Sequence, residues 1–319
     1  MLVDPERSYD LIGDVHGCAH TLMRLLEQLG YSRHGDLWRH PRRQVIFLGD
    51  IIDRGPHIRE ALHLVHAMVE AGQAHCIMGN HEFNALGWYT PAPSESGKTF
   101  VRDHTPRYAM LLQQTFQQFD QYPEEWAAFR EWFMTLPLYL DGERFRVVHA
   151  CWDNTVIAQL RERLSHGRVD QEFLRDAAFS QGFAAKALDR LLRGTDMPLP
   201  EGLTLTSAEG FTRSFFRTKF WEENPQTYGD VVFQPDGLPE KAARVPLSES
   251  QKNKLFLYGP NDPLLFVGHY WRRGTPAPIR PNLACLDYSA VKYGKLVAYR
   301  LDEETSLDPA KFVWVDVER

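Results

Sequence analysis

Gln44-Val45-Ile46-Phe47-Leu48-Gly49-Asp50-Ile51-Ile52-Asp53-Arg54-Gly55 is an apolar run that ends in glycine and then turns acidic. The β-branched part reads as a buried strand, and Gly49 marks its end. Asp50 thus falls at a strand's C-terminal edge, where the loops of an α/β sheet converge and ligand sites gather. Four other blocks repeat the pattern: Gly13-Asp14-Val15-His16-Gly17, Gly79-Asn80-His81-Glu82, Val148-His149 and Gly268-His269, each behind an apolar run. One such block would mean little. Five, all built from Asp, Asn and His, describe a binuclear metal centre.

Working outward, Tyr9 to Ile12, Gln44 to Leu48 and His75 to Met78 read as strands. Between them, Leu22, Leu25, Leu26 and Leu29 share one helical face, as do Leu62, Val65, His66 and Val69. This alternation predicts a largely parallel sheet with right-handed crossovers. A Pro-rich loop at 90–106 precedes a helical stretch over 107–134, broken at Pro123. Phe145 to Val148 reads as a fourth strand. From about 152 to 262 the strand–helix rhythm is lost, which predicts an insertion within a single domain spanning 1–319, helical over 170–192 and then aromatic and Pro-rich. Leu264 to Val267, Leu283 to Leu286 and Leu296 to Tyr299 resume short strands, expected to form a second sheet of antiparallel character.

Bulk properties narrow the function classes. A net charge of -6 argues against a sequence-independent nucleic-acid binder held by a basic face. No apolar run is long enough to cross a bilayer, so no membrane partner is expected. The first residues lack the apolar core of a signal peptide. Cys18, Cys76, Cys151 and Cys285 show no CxxC spacing, which points to neither disulfides nor a thiolate metal site. A reducing cytoplasm is the expected location.

A two-metal hydrolytic centre needs a carboxylate between the ions and neutral nitrogen or oxygen ligands around them. Asp50 suits the bridge. Asp14 and His16 are alternate residues of one extended turn and can enter the same hole, while Asn80, His149 and His269 would supply the second ion. Two divalent cations bring four positive charges; Asp14, Asp50 and a bridging hydroxide cancel three, leaving about one to attract phosphate. A guanidinium at Arg54 can hold phosphoryl oxygens bidentately. His81 follows Asn80, is expected to point away from the metals, and is the candidate to protonate the leaving oxygen, with Asp53 orienting it.

These blocks resemble the calcineurin-like metallophosphoesterase superfamily, and within it the branch of PPP-type serine/threonine phosphatases and bacterial diadenosine tetraphosphatases. GDxxDRG followed by GNHE carries the resemblance. Val147-Val148-His149-Ala150 is similar to the bacterial form of the next block, and Leu286-Asp287-Tyr288 with Lys295 to Tyr299 to the closing strands. The resemblance implies an α/β fold, a four-layer αββα sandwich of two mixed sheets flanked by helices. It implies one metal on Asp14, His16 and Asp50, and the other on Asp50, Asn80, His149 and His269. Arg54 would grip phosphate, and the His81/Asp53 pair would act as general acid. The chain departs from the nuclease and phosphodiesterase branches, which end in GHxH, because it reads Gly268-His269-Tyr270-Trp271. The insertion does not align with the protein phosphatases, so Arg213, Arg217, Arg272 and Arg273 all remain candidates for a second phosphate contact.

Each signal has a bland alternative. His149 and His269 alone would be core histidines; in a chain short of two ligands they become ligands. Between Arg161 and Lys219 ten basic residues face eight acidic ones, a surplus of two that makes no basic clamp. Phe211, Phe215, Phe216, Phe220 and Trp221 are spaced like one helical face, for which core packing is the default and nucleobase stacking the alternative. Glu82 reads as a hydrogen-bonding support, and His57 as a surface residue at a helix start.

The expected reaction is in-line hydrolysis of a phosphate ester by a metal-bridging hydroxide, with two divalent ions, Mn²⁺ preferred and Fe or Zn²⁺ compatible. The expected partner is a phosphorylated substrate: a phosphomonoester on a phosphoprotein leads, a dinucleoside polyphosphate or other nucleotide is the alternative, and a non-catalytic scaffold is the remote third. A dinucleotide would require a pocket with aromatic or amide contacts to bases.

Overall fold

Strand Ser8–Ile12 pairs in parallel with Arg43–Phe47, which pairs in parallel with Ala74–Cys76. On its other side it meets Lys295–Leu301 antiparallel. Asp287–Tyr288 and Phe312–Asp316 both pair with that strand. This computed structural model describes residues 3, 4, 6–206, 212–233 and 238–317. Among them a second sheet runs Leu283–Cys285, Leu264–Val267, Phe145–Val148, Tyr139–Asp141, with its first three strands parallel.

The sheet expected to be antiparallel is therefore divided. Leu264–Val267 and Leu283–Cys285 run parallel to Phe145–Val148, and Lys295–Leu301 joins the first sheet instead. The stretch between Val267 and Leu283 is long enough for a crossover, which a parallel pair requires and a hairpin does not. Both sheets are mixed, and the fold is α/β of the metallophosphatase type.

One buried cluster draws on both sheets. Tyr9, Leu11, Ile46 and Val297 from the first meet Phe145, Val147, Phe266 and Ala284 from the second. Alternate residues of each strand thus face a shared core. Helix Ile58–Glu70 covers the first sheet's other face beside Ala74–Cys76, burying Ile58, Ala61, Leu62, Val65 and Met68 at helical spacing. Helix Ala19–Gln28 packs on Lys295–Leu301 and Phe312–Asp316. Pro123 opens helix Pro123–Phe133 after helix Pro106–Phe119 closes, since its ring fits a first turn but no helix interior. No helix among the described residues is long and apolar enough to cross a membrane.

The chain divides into two compact units, one of Met1–Leu192 with Pro263–Arg319 and one of Arg193–Asp262. In the smaller unit, Phe215–Thr218 pairs antiparallel with Thr195–Pro198. Met197, Phe216, Tyr228, Val231 and Leu247 form its core. The helical spacing read over 211–221 is corrected here: Phe215 is exposed and Phe216 buried, the period of two that a strand imposes. Phe211 lies outside the described residues.

Candidate metal centre

Among the described residues, five of the six strands that pair in parallel in the larger unit are followed by a block read from the sequence, Leu283–Cys285 being the exception. Asp14 and His16 follow Ser8–Ile12, Asp50 follows Arg43–Phe47, and Asn80 follows Ala74–Cys76. His149 and His269 follow Phe145–Val148 and Leu264–Val267. All six side chains are buried.

His16 and His149, together with His81, converge on one oxygen of Asp50. Oδ2 of Asp50 lies 3.3 Å from Nε2 of His149, 3.7 Å from Nε2 of His16 and 3.8 Å from Nε2 of His81. Two groups of potential ligand atoms share this carboxylate: His16, Asp50 and His81, and Asp50, His149 and His269, each within 4.8 Å of one another. Oδ1 of Asn80 reaches 3.1 Å from His149 Nε2. Asp14 sits beside them, accepting from the backbone N–H of His269 at 3.2 Å. A Cβ on Gly268 would come within 2.1 Å of Asp14 Oδ1, so only glycine lets the two loops close.

The imidazoles are aimed rather than merely buried. His16 Nδ1 bonds to the carbonyl of Ile52 at 2.8 Å, and His149 Nδ1 to that of Leu48 at 2.7 Å. With Nδ1–H donated to a carbonyl, Nε2 is the nitrogen left to face Asp50, the arrangement of a metal-ligating histidine once that nitrogen is unprotonated. Backbone strain is concentrated here as well: His16, Asp50, Asp53, Arg54 and His269 all adopt positive φ, from 43° to 69°. Surrounding contacts must over-determine such conformations. Glu82 does much of this, accepting from the N–H groups of Asp50 at 2.8 Å, Ile51 at 2.8 Å and Gly79 at 2.9 Å.

Electrostatics favour added positive charge. Burial, then repulsion from Asp287, pushes the Asp14 carboxyl well above its ordinary range. Burial raises Asp50 too, but the imidazolium of His149 outweighs it and holds Asp50 well below. Burial opposes charge on His149, yet the Asp50 carboxylate prevails and pushes it up to about 10. A cation placed between the two would do what that proton does. The donor set, carboxylate, amide oxygen and neutral imidazole without thiolate, suits Mn²⁺, Fe or Zn²⁺.

His81 departs from its expected direction. Its Nε2 faces the cluster rather than turning away, and its ring lies 4.7 Å from that of His16. The expected partner is in place: Nδ1 meets Asp53 Oδ2 at 2.6 Å. Burial pushes the Asp53 carboxyl well up, against the hydrogen bond donated by Thr115 Oγ1. Arg54, half-buried, lies 4.9 Å over the ring of Trp271, and the Lys292 ammonium lies 3.7 Å from the same ring. The other arginines are scattered. Arg272 is half-buried and its N–H bonds to the Asp287 carbonyl at 2.9 Å. Arg273 is exposed. Arg213 and Arg217 belong to the smaller unit, on strands Thr212–Arg213 and Phe215–Thr218.

Three contributors escaped the sequence reading. Thr115 supports Asp53 from a helix 62 positions away, with no motif to mark it. Asp287, buried, is pushed up to about 6 by burial, and its charge acts on Asp14. Only its place in the closing strand drew notice. Trp271 lies two residues beyond His269, where the sequence pattern marks only a missing histidine.

The family model described as calcineurin-like phosphoesterase matches residues 9–270. A bis(5'-nucleosyl)-tetraphosphatase PrpE, asymmetrical, from Halalkalibacterium halodurans is 46% identical over 74 residues, 23% of this chain and 30% of that protein. The protein of the same name from Oceanobacillus iheyensis is 33% identical over 142 residues, 44% of this chain and 54% of its own length. The chain thus spans at most about half the length of these curated relatives. A protein serine/threonine phosphatase structure from Saccharomyces cerevisiae shares the fold at a TM-score of 0.51, with 13% identity over 99% of this chain and 81% of that one.

Proposed function

The chain belongs to the calcineurin-like phosphoesterase family, and we propose that it hydrolyses phosphate esters with the help of two divalent cations, which Asp50 and the side chains around it would hold. One observation carries this reading: a single carboxylate oxygen faces three imidazole nitrogens drawn from three separate loops. His16, Asp50 and Asp14 would hold one ion, and Asp50, Asn80, His149 and His269 the other, with Mn²⁺ preferred. A bound pair supplies Lewis-acid activation of water and of the phosphoryl group near neutral pH.

The chain's own residues do the rest. Arg54 presents a guanidinium whose planar fork matches phosphoryl oxygens. His81 Nε2, the end not held by Asp53, delivers a proton to the leaving oxygen, and Asp53 fixes the ring for that transfer. Thr115 keeps Asp53 turned toward His81.

Of the substrates weighed from the sequence, we carry forward the nucleotide. The relatives named above are asymmetrical bis(5'-nucleosyl)-tetraphosphatases, whereas likeness to the protein phosphatase extends to the fold alone. The test is turnover of diadenosine tetraphosphate, a phosphopeptide and p-nitrophenyl phosphate by the manganese-loaded protein. Hydrolysis of the dinucleotide at the highest kcat/KM is expected. A phosphopeptide preferred over the dinucleotide would overturn the substrate, and no metal-dependent turnover of any of the three would overturn the activity.

A further inference from the structure

Arg54 borders a second space besides the metal cluster. A cleft of about 480 Å³ opens beside it, between the loop Gly55-Pro56-His57, helix Ala19–Gln28, helix Pro106–Phe119 and the turn at Tyr293. That volume lies in the range of sites for small organic ligands. The walls are mixed in character. His57 and His20 stack with ring centroids 4.1 Å apart, and Glu60 holds His20 Nε2 at 3.1 Å. Arg24, its guanidinium on the Asp316 carbonyl at 3.0 Å, supplies a cation besides Arg54. Gln114 brings an exposed amide, and Tyr293, 61% exposed, stands at the rim on a backbone with φ of 56°.

The floor is rigid. Gln118 accepts from the N–H of Ile58 at 2.6 Å and of Arg59 at 3.3 Å, while its amide donates to the Gly55 carbonyl at 3.1 Å. The loop bearing Arg54 and His57 is thereby fixed to helix Pro106–Phe119, the helix that also supplies Thr115. Flat rings, an amide and two guanidiniums in one cleft match a base, its sugar and an attached phosphate. A phosphopeptide side chain would need the cations but not the rings.

We propose that this cleft binds the nucleoside end of a nucleotide leaving group, with Tyr293 and His57 stacking the base and Arg54 shared between the reacting phosphoryl group and the next phosphate along the chain. The assignment rests on the nucleotide reading above and deepens it. Binding of ADP and of inorganic pyrophosphate, measured by calorimetry on the manganese-loaded protein at fixed free Mn²⁺, separates base from phosphate. ADP should bind at least about tenfold more tightly than pyrophosphate, and Tyr293→Ala should weaken ADP by roughly 5- to 100-fold, the range of one lost base stack. Pyrophosphate should move less than about twofold in the same variant; the comparison is internal to the Mn²⁺-loaded protein. Equal affinities in the parent protein, or equal losses in the variant, would overturn the cleft. Dinucleotide turnover without an ADP preference overturns this inference alone, and an ADP preference without dinucleotide turnover overturns only the substrate reading.

Discussion

The two sheets contribute unequally to the site. Three loops of the first bring Asp14, His16, Asp50, Asp53, Arg54, Asn80 and His81, with Glu82 binding two of those loops to each other through their N–H groups. The second brings the ligand candidates His149 and His269, one at each of two strand ends, and Trp271 beneath Arg54. Direct bonds join the halves: His149 Nδ1 on the carbonyl of Leu48, His149 Nε2 against Asn80 Oδ1, and the His269 N–H on the Asp14 carboxylate. The contrast separates two jobs. On the proposed reading, the first half would hold the anion and the proton, and the second half would complete the cage for a second cation.

Removing the shared group should have the largest effect. Asp50→Ala strips both halves of their common carboxylate, so turnover should fall below detection and bound metal below one ion per chain, read by elemental analysis. Turnover surviving in that variant would break the comparison at its root. His81→Ala affects only the first half. It should lower kcat by about 10²- to 10⁴-fold for poor leaving groups, and far less for p-nitrophenol, while metal content stays near that of the parent protein. An equal loss for both leaving groups would remove the proton-transfer role.

Thr115→Val sharpens the same half from a distance. Loss of an outer hydrogen-bond partner costs about 10- to 100-fold at comparable sites, and kcat should drop within that range with KM little changed. A smaller effect, and one of stability alone, is expected at the far end of the first sheet. Part burial disfavours charge on Asp302, but hydrogen bonds from Lys311 and Arg43 prevail and hold its carboxyl well below the usual range. A carboxyl depressed on folding stabilises above its unfolded pKa near 4 and loses that contribution as pH falls further. Asp302→Asn should therefore cost about 0.5 kcal/mol at pH 7, with the gap to the parent closing toward pH 2 in denaturant titrations and no change in kcat.

Legibility followed the same division. The first-sheet loops could be read because each ligand follows an apolar strand and a glycine within a few residues, so local sequence carries the geometry. His149 and His269 are short blocks that gain meaning only from ligands already counted. Thr115 could not be read at all, since a helical threonine reveals a partner 62 positions away only once the helix is docked. The parallel run of Leu264–Val267 was missed because strand direction is set by the crossover that follows, not by the strand's own residues. In the smaller unit, the rings over 211–221 fit a helical spacing, yet pairing of Phe215–Thr218 with Thr195–Pro198 imposed the strand period. Tertiary pairing overrode local pattern there.

The most direct test is metal stoichiometry by elemental analysis on the manganese-reconstituted protein and on His269→Ala, each checked for native circular dichroism. The account predicts two ions per chain, falling to one when the second half loses its histidine. One ion in both proteins, or two in both, would contradict a cage built from two halves around Asp50.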